Sequence, residues 1–388
     1  IFLDLPKYIS EEFFAKLNNG KIQKNDVLLV KDGATIGKAA IVRKLPSGDC
    51  AVNEHVFILR ANKKVEPGFL YFLIISSLGQ SQILSLISGA AQPGLNSLFV
   101  NKTRFPFPPL PEQRAIADFL DHQIAKVDAL IEKQERLIKL LDEKRNALIS
   151  RAVTKGLNPD VPMKDSGVEW LGEIPEHWSI RRLKFLSKIN PSISERNNIN
   201  EKIDVTFLPM ENLVEGNLEL NLIKKLSEVR TGFTYFAEND VLIAKITPSF
   251  ENNKGAIAKN LTNKIGFGTT ELHVIRANKK IIPEFLFLVT SSYHFRSVGT
   301  HYMKGVAGQQ RVDKVFLTNF PFAYPHIEEQ HKIVAFINKF DGDHKKLKNK
   351  IISLIKNLNK FREIIITFTV TGKIDVRHWQ EKEVINLE

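Results

Sequence analysis

Arg60-Ala-Asn-Lys-Lys64 recurs as Arg276-Ala-Asn-Lys-Lys280, 216 positions later. The match extends at the same spacing, where Val65-Glu-Pro-Gly-Phe-Leu-Tyr71 faces Ile281-Ile-Pro-Glu-Phe-Leu-Phe287. Upstream, Asn25-Asp-Val-Leu-Leu29 matches Asn239-Asp-Val-Leu-Ile243 at a spacing of 214. Downstream, Phe105-Pro-Phe107 matches Phe320-Pro-Phe322. Glu112-Gln113 and Val153-Thr154 then match Glu329-Gln330 and Val370-Thr371 at a spacing of 217. One short match could arise by chance, but a collinear series with so little drift marks a tandem duplication. Self-similarity of this kind settles the architecture before any local reading does.

Each copy reads as a mixed α/β unit followed by a long helix. Val27–Val30 and Val241–Ala244, each opened by Asn-Asp, have the composition of strands. Ile41-Val42 and Val56–Leu59 continue the pattern with β-branched and aromatic residues. Pro67 and Pro283 precede apolar stretches, where proline fits the first turn of a helix. A Gly-containing polar loop follows in both copies, Gly89-Ala-Ala-Gln-Pro-Gly-Leu-Asn96 and Gly305-Val-Ala-Gly-Gln-Gln-Arg-Val312. A proline-rich stretch ending at Pro111 closes the first globular part.

From Pro111 to Gly156 the chain contains neither Pro nor Gly. Ile116 and Leu120 lead into a seam at Ile124, Val127, Ile131, Gln134, Ile138, Leu141, Arg145 and Leu148, alternating three and four residues. The second copy gives Ile337, Phe340, His344, Leu347, Ile351, Leu354, Leu358, Phe361, Ile365 and Phe368. These are heptad patterns, with Gln134, Arg145 and His344 as polar positions that fix register. No second histidine at ligand spacing supports a metal role for His344. Each helix is expected to run roughly 40 residues, or about 60 Å at 1.5 Å per residue. The two narrow, nearly matched seams predict an antiparallel coiled coil with the globular domains at opposite ends.

Lys and Arg number 55 against 43 Asp and Glu, a formal charge of +12, which favours an anionic partner and nucleic acid first. The single cysteine, Cys50, excludes an internal disulfide and a Cys-based zinc site, and fits a reducing compartment. No apolar run reaches membrane-spanning length, and no signal peptide is evident. Two similar heads held apart on a basic scaffold suit a bipartite target on double-stranded DNA, with helix length as the ruler. The candidate contacts lie in two loops of each copy. The first pair is residues 31–38, with Lys31, Thr35 and Lys38, and residues 245–254, with Lys245, Thr247, Asn252, Asn253 and Lys254. Lysines at both ends suit phosphates, and the small or amide side chains between them suit base edges. The second pair holds Gln92 and Asn96 in one copy and Gln309, Gln310 and Arg311 in the other.

Catalytic motifs are missing. The nearest approach to a methyltransferase Asn/Asp-Pro-Pro-aromatic motif is Phe107-Pro-Pro-Leu110, wrong at both ends. No phosphate-cradling Gly-rich loop, His-Glu-x-x-His or Gly-x-Ser-x-Gly occurs. Pro159-Asp160 is not followed by the Glu/Asp-x-Lys element of restriction nucleases.

The stretch Pro108-Pro-Leu-Pro-Glu-Gln-Arg-Ala-Ile-Ala-Asp-Phe-Leu120 resembles the start of the central conserved helix of type I restriction-modification specificity subunits. Ile131-Glu-Lys-Gln-Glu-Arg-Leu137 and Leu141-Asp-Glu-Lys-Arg145 resemble its continuation. Gly167-Val-Glu-Trp-Leu-Gly-Glu-Ile-Pro-Glu-His-Trp178 resembles the family's entry into a target-recognition domain, and Gly33-Ala-Thr-Ile-Gly37 fits its pattern. The resemblance implies an α+β chain with two α/β target-recognition domains separated by two conserved helices. The boundaries would be a first domain at 1–111, central helix 112–156, linker 157–177, second domain 178–327, and distal helix with tail 328–388. It implies a non-catalytic, cytoplasmic protein without cofactors of its own. Its partners would be double-stranded DNA, two methyltransferase subunits and restriction subunits, with no membrane. Those subunits would bring S-adenosylmethionine, ATP and magnesium. Only 24 residues precede Asn25 whereas 61 separate Trp178 from Asn239, so the first domain is expected to be N-terminally shortened or unusually compact. Two other readings remain open: a DNA-reading subunit of a different modification system, and a coiled-coil interaction scaffold that does not touch DNA.

Overall fold

A computed structural model describes residues 7–45, 49–88, 93–195, 199–306 and 308–379. The chain divides into two compact units, Ile1–Leu137 with Lys350–Glu388, and Ile138–Asn349. Two unbroken helices, Leu110–Lys155 and Ile327–Val370, belong partly to each. No single helix among the described residues is long and apolar enough to cross a membrane.

The sheet of the first unit is antiparallel, in the order Ala39–Ile41, Val27–Val30, Val56–Leu59. In the second unit Val241–Ala244 lies between Gly255–Ile257 and Leu272–Ala277. The registers correspond: Val27 faces Ile41 and Leu59, while Val241 faces Ile257 and Ile275. The Asn-Asp that opens each central strand has a physical task. Asn25 and Asn239 adopt the left-handed conformation, φ 73° and 67°, which asparagine tolerates better than most residues. The next residue buries its carboxylate almost completely. Asp26 accepts two hydrogen bonds from Arg60, both at 2.7 Å, and one from the Gln23 amide. Asp240 does the same with Arg276 and the Ala237 amide. The recurring Arg-Ala-Asn-Lys-Lys therefore begins with the partner of a buried charge.

Both units continue with a helix pair bent at a serine, Pro67–Ile75 with Ser77–Ser85, and Pro283–Ser291 with Tyr293–His301. The hydroxyls of Ser76 and Ser292 donate to the carbonyls of Leu73 and Val289 and cap the following helices. Within the first unit Phe69, Phe72 and Leu73 pack on Ile116 and Leu120 of one long helix and Ile365, Ile366 and Val370 of the other. Within the second, Phe285 and Leu286 belong to one core with Ile149, Ala152 and Val153 of the first long helix and Ile333 and Ile337 of the second. The helices run antiparallel, as Asp128–Arg362 in the first unit and Asp142–Lys348 and Arg145–Asp341 in the second require.

On the first helix Ile124, Val127, Ile131, Gln134, Ile138, Leu141, Arg145 and Leu148 are all buried or half-buried. The second helix departs from expectation. Ile337, Ile351, Leu358 and Ile365 lie on its covered side, and Phe340 and His344 are half-buried. Leu347, Leu354, Phe361 and Phe368 are 41–49% exposed. Their places are taken one residue later by Lys348, Ile355, Arg362 and Thr369. Lysine and arginine cover apolar surface with their stems while their heads pair with Asp142 and Asp128. A rule that selects apolar residues therefore picked the neighbouring stripe. Arg145 makes a bidentate contact to Asp341 and a third bond to Glu215. Burial opposes its charge, but the Asp341 and Glu215 carboxylates hold the guanidinium pKa above its ordinary value.

The second unit has a further sheet in the order Ile223–Lys225, Asp204–Leu208, Ile265–Gly268, Thr234–Ala237. Among the described residues its counterpart in the first unit is the bridge between Lys21 and Ala51.

Asp26→Asn should destabilise the first unit by about 2 kcal/mol, the cost of disabling a buried charge-assisted pair whose arginine remains partly solvated. Asp240→Asn should do the same to the second. Hydrogen exchange at residues 27–30 and 241–244 in urea separates the two effects, and equal losses in both units would contradict the assignment. Burial disfavours the Asp26 carboxylate, yet Arg60 and the Gln23 amide outweigh it and hold its pKa below 3.8. That stabilisation is present above the unfolded value and is lost as pH falls through the lower folded value. Asp26→Asn should therefore blunt the acid sensitivity of the first unit.

Candidate nucleic-acid interface

The strand Val241–Ala244 runs into residues 245–254, which return as Gly255–Ile257. Residues 305–310 connect the short strands Met303–Lys304 and Arg311–Val312. Backbone pairing joins the two loops. Ile246 and Arg311 form a bridge, and the Val312 amide donates to the Lys245 carbonyl at 2.8 Å. The Gln310 carbonyl accepts from the Thr247 amide and hydroxyl, at 2.9 and 3.0 Å. Beneath them the buried His273 ring contacts the Val312 carbonyl through Nε2, and burial pushes its pKa down. The first unit repeats this arrangement. Asp32 bridges Gly94, and the Leu95 amide donates to the Lys31 carbonyl at 2.7 Å. The two loops singled out in each copy are neighbours in both.

The side chains differ in what they are free to do. Thr35, Lys38, Asn96, Asn252 and Gln309 are exposed, and Lys31, Lys245 and Gln310 are half-buried. Lys31 lies over the Phe57 ring at 5.4 Å, with its stem on the core. The Asn96 side-chain oxygen already accepts the Leu98 amide, which leaves its NH2 group as the free donor. Gln92 lies outside the described residues. Four expected contacts already have partners within the protein. Thr247 is held by Gln310. The Asn253 amide donates to Glu215 at 3.0 Å. Lys254 donates to the Met210 carbonyl at 3.3 Å. Arg311 forms a bidentate pair with Glu271, and that hydrogen bonding holds the Glu271 carboxyl below its usual range. Arg311 stays exposed, with its Nε and Nη2 committed to Glu271. Charged and amide groups beside a core satisfy each other first, and loop composition does not reveal those partners.

Two residues missed in the sequence brace the loops. Gln80 donates to the carbonyls of Gly37 and Ile74, both at 2.9 Å. At the equivalent place Arg296 donates to Phe250 at 3.0 Å and Thr290 at 2.8 Å, stacked on the Phe250 ring. Each ties the bend of a helix pair to one of the candidate loops. Burial lowers the Arg296 pKa to about 9. Gly299 leaves room for this packing, since a Cβ there would come within 2.5 Å of Phe250. The available signal was a polar residue inside an otherwise well-packed helix pair, at matched positions of the repeat. Among the described residues no group of three or more His, Cys, Asp or Glu could hold a metal ion.

Residues 4–140 and 175–357 match the family model of the type I restriction modification DNA specificity domain. The chain belongs to this family. It is similar to the EcoAI specificity subunit of Escherichia coli, with 36% identity over 207 residues, 52% of this chain and 34% of that protein. The match to the EcoEI subunit likewise spans 35% of its length, so the chain aligns with about a third of each. Similarity to the EcoKI subunit of E. coli K12 is 22% over 384 residues, covering 92% of this chain and 81% of that one. A chain of a solved type I restriction-modification system shares the fold, with a TM-score of 0.68 at 18% identity, over 91% of this chain and 83% of that one. The HsdS subunit of Thermoanaerobacter tengcongensis does so with a TM-score of 0.52 at 18% identity, over 91% and 82%. The family's DNA-specificity match covers both units and so both loop pairs.

Arg296→Met should speed amide exchange within residues 246–254 by about tenfold, as expected when two carbonyls lose a partner worth about 1.4 kcal/mol. Gln80→Leu should act likewise on residues 31–37. Mass-resolved hydrogen exchange reads both, and a uniform change across the unit would contradict the bracing role.

Proposed function

We propose that this chain is the non-catalytic DNA-recognition subunit of a type I restriction-modification complex, each unit reading one half of a split target. The observation that supports this most is the repeated pair of joined loops, tied by equivalent backbone bonds in two diverged copies. Equivalent scaffolds with different loop side chains suit two half-sites of different sequence. The +12 charge supplies the sequence-independent attraction to phosphate. Lys31, Lys38 and Lys245 would position the backbone, and Thr35, Asn96, Asn252 and Gln309 would meet base edges.

Methylation and cleavage would belong to partner subunits. Two methyltransferase subunits would hold S-adenosylmethionine and extrude an adenine from each half-site, because a stacked base is out of reach. Restriction subunits would hold ATP and magnesium. In the first unit the exposed Leu354, Phe361 and Phe368 of the second long helix would offer apolar surface to such a partner. Acting on DNA, such a complex would work in the cytoplasm.

The test is methylome sequencing of cells that carry this chain with its methyltransferase, before and after residues 1–110 are exchanged for those of another family member. One half of a split motif should change and the other persist. An unsplit motif, or a change in both halves, would refute the reading.

A further inference from the structure

A third segment joins the paired loops in both units. It is the turn leading into a strand of the sheet, residues 53–55 before Val56–Leu59 and 269–271 before Leu272–Ala277. The Lys31 amide donates to the His55 carbonyl and the Lys245 amide to the Glu271 carbonyl, both at 2.9 Å. The turns themselves match. The Asn53 side-chain oxygen accepts the His55 amide at 3.3 Å, and the Thr269 hydroxyl accepts the Glu271 amide at 3.2 Å. His55 and Glu271 therefore occupy one place in the repeat, beside the bridges Asp32–Gly94 and Ile246–Arg311.

Each residue pairs with the charged member of its bridge, and the two units exchange the roles. In the first unit Asp32 Oδ1 lies 2.7 Å from His55 Nδ1. An ionised carboxylate only accepts, so the shared proton sits on Nδ1, and Nε2 lies 3.7 Å from Glu54. In the second unit Glu271 accepts from Arg311 Nε at 2.9 Å and from Nη2 at 2.8 Å. Nη1 donates to the Gln309 carbonyl at 3.3 Å. A guanidinium has five N–H donors. With three engaged, one hydrogen remains on each terminal nitrogen. The His55 and Arg311 side chains are 55% and 45% exposed. Exposed ion pairs add little to stability, whereas a bidentate one fixes the direction of the guanidinium. Orientation is thus the property that the two copies share at this place.

We propose that Arg311, oriented by Glu271, reads a guanine in the half-site of the second unit, and that His55, oriented by Asp32, is the reader at the same place in the first. The two remaining Arg311 hydrogens form the fork that fits guanine O6 and N7 in the major groove. His55 offers one nitrogen, makes one bond and so discriminates less. Glu271 and Asp32 are positioning residues. The inference rests on the DNA-recognition reading above and adds to it a third segment and the residues that carry specificity there.

The test is methylome sequencing of cells carrying the chain with its methyltransferase, with Arg311→Lys, Arg311→Gln, Glu271→Gln and His55→Gln compared with the unaltered chain. Lysine keeps the charge and lacks the fork. Both Arg311 variants should make one guanine position of one half-motif degenerate, raising methylation of sites with another base there at least about tenfold. Glu271→Gln should relax the same position less. His55→Gln should relax one position of the other half and leave that guanine fixed. A half-motif without guanine, a motif unchanged in both Arg311 variants, or full specificity kept by Arg311→Lys alone would overturn the proposal. So would relaxation at several positions together, or loss of all methylation in every variant. Each of these results, obtained beside a split motif for the unaltered chain, leaves DNA recognition by two units standing. An unsplit motif for the unaltered chain overturns that reading and this inference with it.

Discussion

A buried glutamine must hydrogen-bond at its oxygen and its nitrogen, because an unpaired amide inside a protein costs about 1–3 kcal/mol. Gln113 and Gln330, 2% and 0% exposed in the opening turns of the two long helices, impose that demand at equivalent places. Gln113 accepts the Glu66 amide and donates to the carbonyls of Lys64 and Pro108. Gln330 accepts the Ile282 amide and donates to Lys280 and Pro325. Each therefore fixes its domain to the start of its own helix. The end of the other helix is fixed as well: the Ser77 amide donates to Thr367, and the Tyr293 amide to Ser150, at 3.0 and 3.1 Å. Each domain is thus clamped to the first turns of one helix and the last turns of the other.

That reciprocal clamp explains which parts of the repeat stayed alike. Arg-Ala-Asn-Lys-Lys, Glu-Gln and Val-Thr all sit at the junction of domain and helix, where a substitution breaks several bonds at once. The loops beyond the sheet answer to weaker constraints. They keep their backbone ties but exchange side chains, so that Gln80 and Arg296 brace different loops through the same two bonds. A fixed frame with variable loops is the arrangement a recognition module needs.

Much of this was legible in the sequence because repetition compares a chain with itself. The strands at Val27 and Val241, the helices opened by Pro67 and Pro283 and the two long helices follow from matched positions and elementary periodicity. The seam of the second helix was not legible, because Lys348 and Arg362 read as surface residues until Asp142 and Asp128 are placed opposite them. The candidate loops lie beside the sheet as expected, yet Asn253 and Lys254 were assigned outward when Glu215 and Met210 hold them, and the exposed Arg311 already pairs with Glu271. Those partners are 38 or more residues away in sequence, and no local rule finds them. Gln113 and Gln330 were noticed as repeat markers only, since burial of a polar residue leaves no trace in composition.

The central claim is that each unit presents its joined loops to a separate part of one duplex. A photoreactive residue in place of Thr35, or of Asn252, in the complex assembled on its methylated motif tests this most directly. Cross-links from position 35 should map to bases of one half of the motif and those from position 252 to the other, with none in the spacer. Cross-links from both positions to the same half, or to no base at all, would contradict the account.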